Sequence, residues 1–317
     1  MKKKKNAGLL AAIAALAGLA VMACSWYAAE LPPPPPAFES MVDHVWIPGG
    51  TFTMGSPEEE GGNTNERPQR QVTISQGFWM GVYPVTRGQW EAVMGSDPSW
   101  HTGNPAAGET GLRPVTNVSW YDALVFANRL SVMDGLEPAY SINGSTDPDS
   151  EEWGTVPTAN NAAWNAVLVV EGSNGWRLPT EAQWEFAARA GTETAFSNGV
   201  DVDDWSNLDP EVESSIREIA WFAGAPGGNM TRQVGQLAAN GNGLHDMHGN
   251  VWEWVWDRSG TYPAQAQTDP QGASSGSFRV SRGGSCFLSA QSARSAVRGS
   301  VNPFGRSSEQ GVRLVRP

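Results

Sequence analysis

Cysteine, histidine and basic residues are all scarce in this chain of 317 residues. It contains two cysteines, too few for a disulfide-dense scaffold or a cysteine-rich zinc site. Lysine and arginine number 21 against 33 acidic residues, which gives a formal charge of -12. Such a charge argues against nucleic acid as a partner, because phosphate neutralisation needs a surplus of cations. The 15 tryptophans and a hydrophobic share of 40% are enough, in contrast, for a packed core.

The first 43 residues predict export and a lipid anchor. Residues 1–23 join a run of four lysines to an uncharged apolar stretch, as signal peptides do. The stretch ends in Val-Met-Ala-Cys, which resembles a bacterial lipobox and implies cleavage before Cys24 and lipidation of its sulfur. A plain N-terminal membrane anchor is the alternative. Residues 24–43 then form a tether that five consecutive prolines stiffen.

We therefore expect an exported, membrane-anchored lipoprotein whose domain lies in the periplasm or at the cell surface. Ser25 rather than Asp follows the lipidated position, which in diderm bacteria favours the outer membrane. Lipidation of Cys24 would leave Cys286 as the only free thiol of the mature chain.

Residues 44–317 are predicted to form a single domain with few regular elements. Short strands are predicted within 45–55, around a Gly-Gly turn, and at 71–74 and 78–83. Helices are predicted at 86–94, 119–130 and 180–190, each with Thr or Ser at its N-cap. Long loops are predicted at 97–110, 141–163 and 197–240.

Two further patterns are interpreted as structural. The tryptophans at 252, 254 and 256 alternate, as in a strand that turns one face to the core. Arg177, Glu181 and Glu185 are interpreted as an ion-pair cluster.

Seven segments, in order, resemble the formylglycine-generating enzyme family, also called the sulfatase-modifying factor domain. They are GTFTMGS (around 51–56), FWMGVYPVTRGQWEAVMG (78–95), PVTNVSWYDALVFANRLS (114–131), GWRLPTEAQWEFAARAG (175–191), GLHDMHGNVWEWVWD (243–257), RGGSCF (282–287) and GVRLVRP (311–317). The resemblance covers 44–317 and implies an α+β fold, a C-type-lectin-like variant that is loop-rich and low in regular secondary structure.

For chemistry, the resemblance implies an O2-dependent oxidase that converts a sulfatase cysteine to formylglycine through two cysteines that bind Cu(I). Cu(I) is a soft ion that favours thiolates. In the family the first cysteine lies three residues after a Gly-Gly-Ser and the second five residues later; Leu288 and Ala293 occupy these positions here. Copper is therefore not expected, and Cys286 is only a weak catalytic candidate. It is either a small packing residue or a lone reactive thiol in an electropositive site.

The resemblance also implies a structural Ca2+ site and a substrate groove. Carboxylates of Asp246 and Glu253 and carbonyls of Gly249 and Val251 would supply the hard oxygen ligands that Ca2+ prefers. The groove residues carried over are Ser285, Cys286, Arg282 and Arg294. His245 and His248 are three residues apart and could chelate a metal on a helix, but polar roles are favoured because their segment reads as a turn.

Three functions are consistent with this pattern. The leading hypothesis is a non-catalytic or divergent family member that binds a peptide, a glycan or an envelope partner in the groove. The second is an oxidase that acts on an exported protein through Cys286. The third is a structural component of an envelope assembly.

Overall fold

A computed structural model describes residues 39–100, 110–202, 204–224 and 229–317. The predicted signal peptide, Cys24 and the prolines of the tether lie outside these residues. The packed structure begins slightly before His44, because Val42 is buried and the Ser40 hydroxyl donates a hydrogen bond of 2.6 Å to Asp134. Within the described residues, no helix has both the length and the apolar character needed to cross a bilayer.

The helices of the described residues are short. They are α1 (Arg87–Met94), α2 (Trp120–Met133), α3 (Ala162–Asn165), α4 (Glu181–Arg189) and α5 (Pro210–Arg217). The sequence predicted α1, α2 and α4, and the N-caps are confirmed. Thr86, Ser119 and Thr180 each accept a hydrogen bond of 3.1–3.2 Å from the backbone N–H three residues further on. The prediction of a loop over 197–240 is wrong in part, since it contains α5, with Asp209 as N-cap.

The strands are also short. In chain order they are β1 (His44–Ile47), β2 (Gly50–Met54), β3 (Arg70–Ile74), β4 (Phe78–Gly81), β5 (Tyr140–Ser141), β6 (Leu168–Val169), β7 (Ala220–Trp221), β8 (His248–Gly249), β9 (Trp252–Arg258), β10 (Gln267–Thr268), β11 (Arg279–Arg282), β12 (Arg298–Val301), β13 (Gln310–Val312) and β14 (Val315–Arg316). They form sheets of order β1-β4-β14, β10-β3-β2 and β12-β11-β9-β13, and the pairs β5-β6 and β7-β8.

The Gly49–Gly50 turn separates two sheets instead of closing a hairpin. β1 pairs with β4, whereas β2 pairs with β3. A side chain at position 49 would meet the Ile74 carbonyl at 2.7 Å, so the chain passes from one sheet to the other at a point where only glycine fits.

Aromatic side chains of the helices and of β9 occupy the core. Trp120 and Phe126 of α2 are fully buried, as is Trp254 of β9. Buried indoles need acceptors, and the Nε1 atoms of Trp120 and Trp254 donate to the Val255 and Val118 carbonyls at 2.9 and 3.0 Å. The predicted strand is confirmed, but burial does not alternate along it: Trp254 is buried, Trp252 and Trp256 are half-buried, and Glu253 and Val255 between them are buried as well. Short strands, few helices and long connections confirm the expected loop-rich α+β architecture.

Candidate functional site

The acidic residues of α4 pair with arginines brought in by distant strands. Glu181 accepts two hydrogen bonds of 2.7 Å from Arg298 of β12. Glu185 pairs with Arg282 of β11, and at 2.9 Å with Arg189 of its own helix. The predicted ion-pair cluster is therefore confirmed for Glu181 and Glu185, which share Arg282, but it does not include Arg177. Spacing within one segment gave no information about the strands that pack across it.

Two of the predicted groove residues are interior ion-pair partners. Arg282 is 0% exposed and Arg294 is 1% exposed. Arg294 bonds Glu60 at 2.5 Å and Glu66 at 2.9 Å, so its guanidinium is committed to buried carboxylates. Charges satisfied in this way do not line a surface groove, which corrects the expectation for both arginines.

Ser285 and Cys286 lie directly beneath the surface. The Ser285 hydroxyl donates to the Glu309 carboxylate at 2.5 Å, and the backbone N–H of Cys286 donates to the Asn250 carbonyl at 3.1 Å. Burial, reinforced by the charge of Glu309, raises the pKa of the Cys286 thiol to about 12. Nothing in the sequence pointed to Glu309, which lies 24 residues beyond Ser285 and reaches it through the chain reversal that precedes β13.

Four partly exposed side chains lie near these two residues, and we call them the rim: Trp221, Arg232, Phe287 and Glu309. The Arg232 guanidinium lies 5.5 Å from the centre of the Trp221 ring, within the range of a cation–π contact. Asn250 connects the rim to its floor, because its N–H donates to the Trp221 carbonyl at 3.0 Å and its side-chain oxygen accepts from the N–H of Arg232 at 2.9 Å. The rim therefore presents two aromatic rings and one charge of each sign.

The two positions that hold copper ligands in the family have backbone roles here. The Leu288 carbonyl accepts a hydrogen bond of 2.7 Å from the Ala223 N–H. The Ala293 carbonyl accepts from Nδ1 of His248 at 2.8 Å. Cys286 is the only cysteine of the described residues, so no second thiol lies near it there.

The four residues expected to bind calcium do not fit a calcium cage. Both oxygens of Glu253 accept from Arg313 at 2.9–3.1 Å, and Oε2 also accepts from the Trp184 indole at 2.6 Å. The oxygens of Asp246 accept from the Gly235 N–H at 2.8 Å and from the Asn250 amide at 3.1 Å. A guanidinium thus occupies the position that a cation at Glu253 would need. Gly249 lies in β8 and Val251 follows it. Their carbonyls are neutral and therefore do not offset the positive charge of the guanidinium.

The two histidines serve separate parts of the fold. Nδ1 of His245 contacts the Leu237 carbonyl at 2.8 Å. His248 is buried between the Ala293 carbonyl and the Ser197 hydroxyl, which lies 2.9 Å from Nε2, and burial lowers its pKa to about 4. Across the described residues, no three His, Cys, Asp or Glu side chains come together to hold a metal.

This chain is similar in sequence and structure to several known proteins. The family model for the sulfatase-modifying factor enzyme 1-like domain matches residues 28–317. A protein from Paenibacillus barcinonensis named chaperone protein LppX is 33% identical over 280 residues, covering 86% of this chain and 89% of that protein. The formylglycine-generating enzyme of Mus musculus is 29% identical over 310 residues, covering 89% of this chain and 76% of the enzyme. The solved structure of Treponema denticola variable protein 1 superposes with a TM-score of 0.73 and 34% identity, over 86% of this chain and 95% of that one.

Proposed function

Since the chain belongs to the sulfatase-modifying factor enzyme family, we propose that it is a member without the family's copper chemistry, which uses the domain to recognise a polypeptide. The rim of Trp221, Arg232, Phe287 and Glu309 is the proposed recognition surface. The lipobox-like segment at Cys24 supports a membrane-anchored lipoprotein, with the domain held in the cell envelope by the tether.

One observation carries the non-catalytic assignment: the described residues offer a single thiol where the copper chemistry needs two thiolates. Burial and the charge of Glu309 raise the pKa of that thiol to about 12, so Cys286 stays protonated at neutral pH. Leu288 and Ala293 have no atom that binds Cu(I). Arg282 and Arg294 cannot activate the thiol, because both are committed to buried carboxylates.

Two features support a polypeptide as the ligand. The aromatic rings and opposite charges of the rim match the mixture of apolar, cationic and anionic groups that a peptide carries. The Paenibacillus relative is named a chaperone, and the similarity to it extends over most of both chains. A glycan or a folded envelope protein is the alternative occupant of the same surface.

The proposal is tested by measuring binding and oxidation with one purified protein. Binding of unfolded, exported polypeptides is followed by suppression of their aggregation. We expect wild-type protein to suppress it, and Phe287→Ala and Arg232→Ala to weaken the effect severalfold. Arg129→Ala is the matched control, because Arg129 of α2 forms a partly exposed ion pair with Asp149.

The oxidation arm incubates the protein aerobically with Cu(I) and a cysteine-containing peptide, and traps any aldehyde with a hydrazine. We expect no aldehyde. Aldehyde formed by wild type but not by Cys286→Ser would establish the oxidase alternative instead. Stoichiometric purification with one envelope protein, together with no effect on aggregation, would favour a structural role.

A further inference from the structure

Two adjoining cavities lie on a part of the domain that does not include the rim. One has a volume of about 270 Å³ and is bordered by the turn between β3 and β4, the start of α4 and Asp269. The other, of about 230 Å³, is bordered by Tyr140, Trp256 and the residues after β6. Arg177, Thr180, Gln271 and Pro317 line both. The two cavities therefore meet around the side chain of one arginine.

Arg177 is half-buried and has no carboxylate partner among the described residues. Its Nη1 donates to the Gln183 amide oxygen at 3.1 Å, and no ion pair among the described residues includes it. Arg282, Arg298 and Arg313, in contrast, each pair with a buried glutamate. The pKa of Arg177 is lowered because its charge is largely removed from water without a compensating carboxylate.

The backbone holds this side chain at the junction of the cavities. The N–H and the carbonyl of Arg177 each bond Val315 of β14 at 2.8 Å, so the residue is fixed between β14 and the start of α4. Nε and Nη2 make no hydrogen bond to the described residues, and the half-buried side chain lines both cavities. A guanidinium in this state presents a planar pair of donors that matches a carboxylate.

The walls indicate which anion fits. Asp269 borders the first cavity, with Oδ1 fixed by the Ser75 N–H at 2.9 Å, and Glu171 borders the second, so each cavity already has one carboxylate in its wall. These charges disfavour a dianion such as phosphate and leave room for a monoanion that also carries hydroxyl or amino donors. Tyr140 and Trp256 are stacked 5.3 Å apart and offer an apolar wall in the second cavity.

From this arrangement we infer that the two cavities form a binding site for a small polar carboxylic acid, whose carboxylate pairs with Arg177. Its polar body lies toward Asp269 and Gln271, and its apolar edge faces Trp256. This site does not depend on the proposed function of the rim, since the two surfaces share no residue.

The test is an NMR titration that follows the Trp256 indole N–H and the Arg177 Nε–H. The probes are D-glucuronate, its uncharged counterpart D-glucose, and inorganic phosphate. We expect saturable shifts with glucuronate alone. Arg177→Gln should weaken glucuronate binding about tenfold or more, because it removes the charge-assisted pair. Arg177→Lys should retain part of it, and Arg306→Gln, which alters an ion pair with Asp122 elsewhere, should bind as wild type.

Three outcomes would overturn the inference. They are the absence of saturable shifts with glucuronate, equal affinity for phosphate, and unchanged glucuronate affinity in Arg177→Gln. Folding does not confound the test, because Arg177→Gln leaves no buried carboxylate without its partner. We expect its melting temperature to match that of the wild type.

Discussion

Arg313 and Glu253 form a bidentate ion pair in the interior of the domain. Nη2 lies 2.9 Å from Oε1 and Nε lies 3.0 Å from Oε2, and neither residue is more than 1% exposed. The same guanidinium donates to the carbonyls of Gly81, Val82 and His245. One arginine thus joins the segments around β4, β8 and β9, and its partner glutamate is what makes its burial tolerable.

Replacing this glutamate should destabilise the domain strongly. Glu253→Ala leaves the Arg313 charge buried without compensation, and we expect a loss of about 3–5 kcal/mol in the free energy of unfolding, measured by urea denaturation. The control is Glu213→Ala, which removes a partly exposed pair with Arg217 one helical turn away and should cost less than about 1 kcal/mol. Similar losses in the two variants would contradict the role assigned to Glu253.

Calcium removal should leave stability unchanged. Because Glu253 already neutralises Arg313, a divalent cation at Glu253 would meet an adjacent positive charge. We expect the melting temperature in excess EGTA to equal that in millimolar CaCl2. A rise with calcium that is absent in Asp246→Asn would instead restore the calcium site suggested by the family resemblance.

Cu(I) should not bind through Cys286. The thiol is buried and protonated, and it has no second cysteine beside it within the described residues. Competition against a colorimetric Cu(I) chelator should give the same result for wild type and Cys286→Ser. Cys286→Ala should lower the free energy of unfolding by about 1 kcal/mol, as expected for a small packing residue. Tight Cu(I) binding that disappears in Cys286→Ser would reverse this conclusion.

Asp257 should make the domain less stable as the pH rises from about 4 to 7. Burial, followed by the nearby Glu181 carboxylate, raises its pKa from 3.8 to about 7. In this range the folded state keeps a proton that the unfolded state releases, so stability falls with increasing pH and levels off above 7. Asp257→Asn removes the titration and keeps an acceptor for the Glu181 N–H, which Oδ2 contacts at 2.7 Å.

The measurement is the melting temperature of both proteins from about pH 4.5 to 8, a range that begins above the ordinary pKa of 3.8 and spans the raised value of about 7. The melting temperature of Asp257→Asn, relative to that of the wild type, should increase steadily as the pH rises toward 7. A constant difference across the range would show that Asp257 does not titrate there.

Local signals in the sequence were sufficient for the helices α1, α2 and α4, but not for the residues that pack against them. Thr86, Ser119 and Thr180 act within their own first turns, so spacing along the chain identified all three caps. The helix α5 carried the same kind of signal, Asp209 followed by Pro210, but it lay inside a segment rich in loop-forming residues.

Tertiary contacts account for what the sequence did not reveal about the site. Whether an arginine lines a groove or neutralises a buried glutamate depends on the segment packed against it, as Arg282 and Arg294 demonstrate. The contact between Ser285 and Glu309 depends on chain reversal in the same way. The family resemblance located the two arginines and Ser285 but not Glu309, and the contacts of all four come from segments far away in sequence.

The pairing of β13 and β14 has a consequence for the order in which the chain can fold. Residues 310–312 complete the sheet at β9, and residues 315–316 complete the one at β4 and bridge to Arg177. Synthesis delivers these residues after all the strands they join. Until they emerge, β4 and β9 have open edges and neither sheet is finished. The two sheets can therefore be completed only after the last residues of the domain have been synthesised.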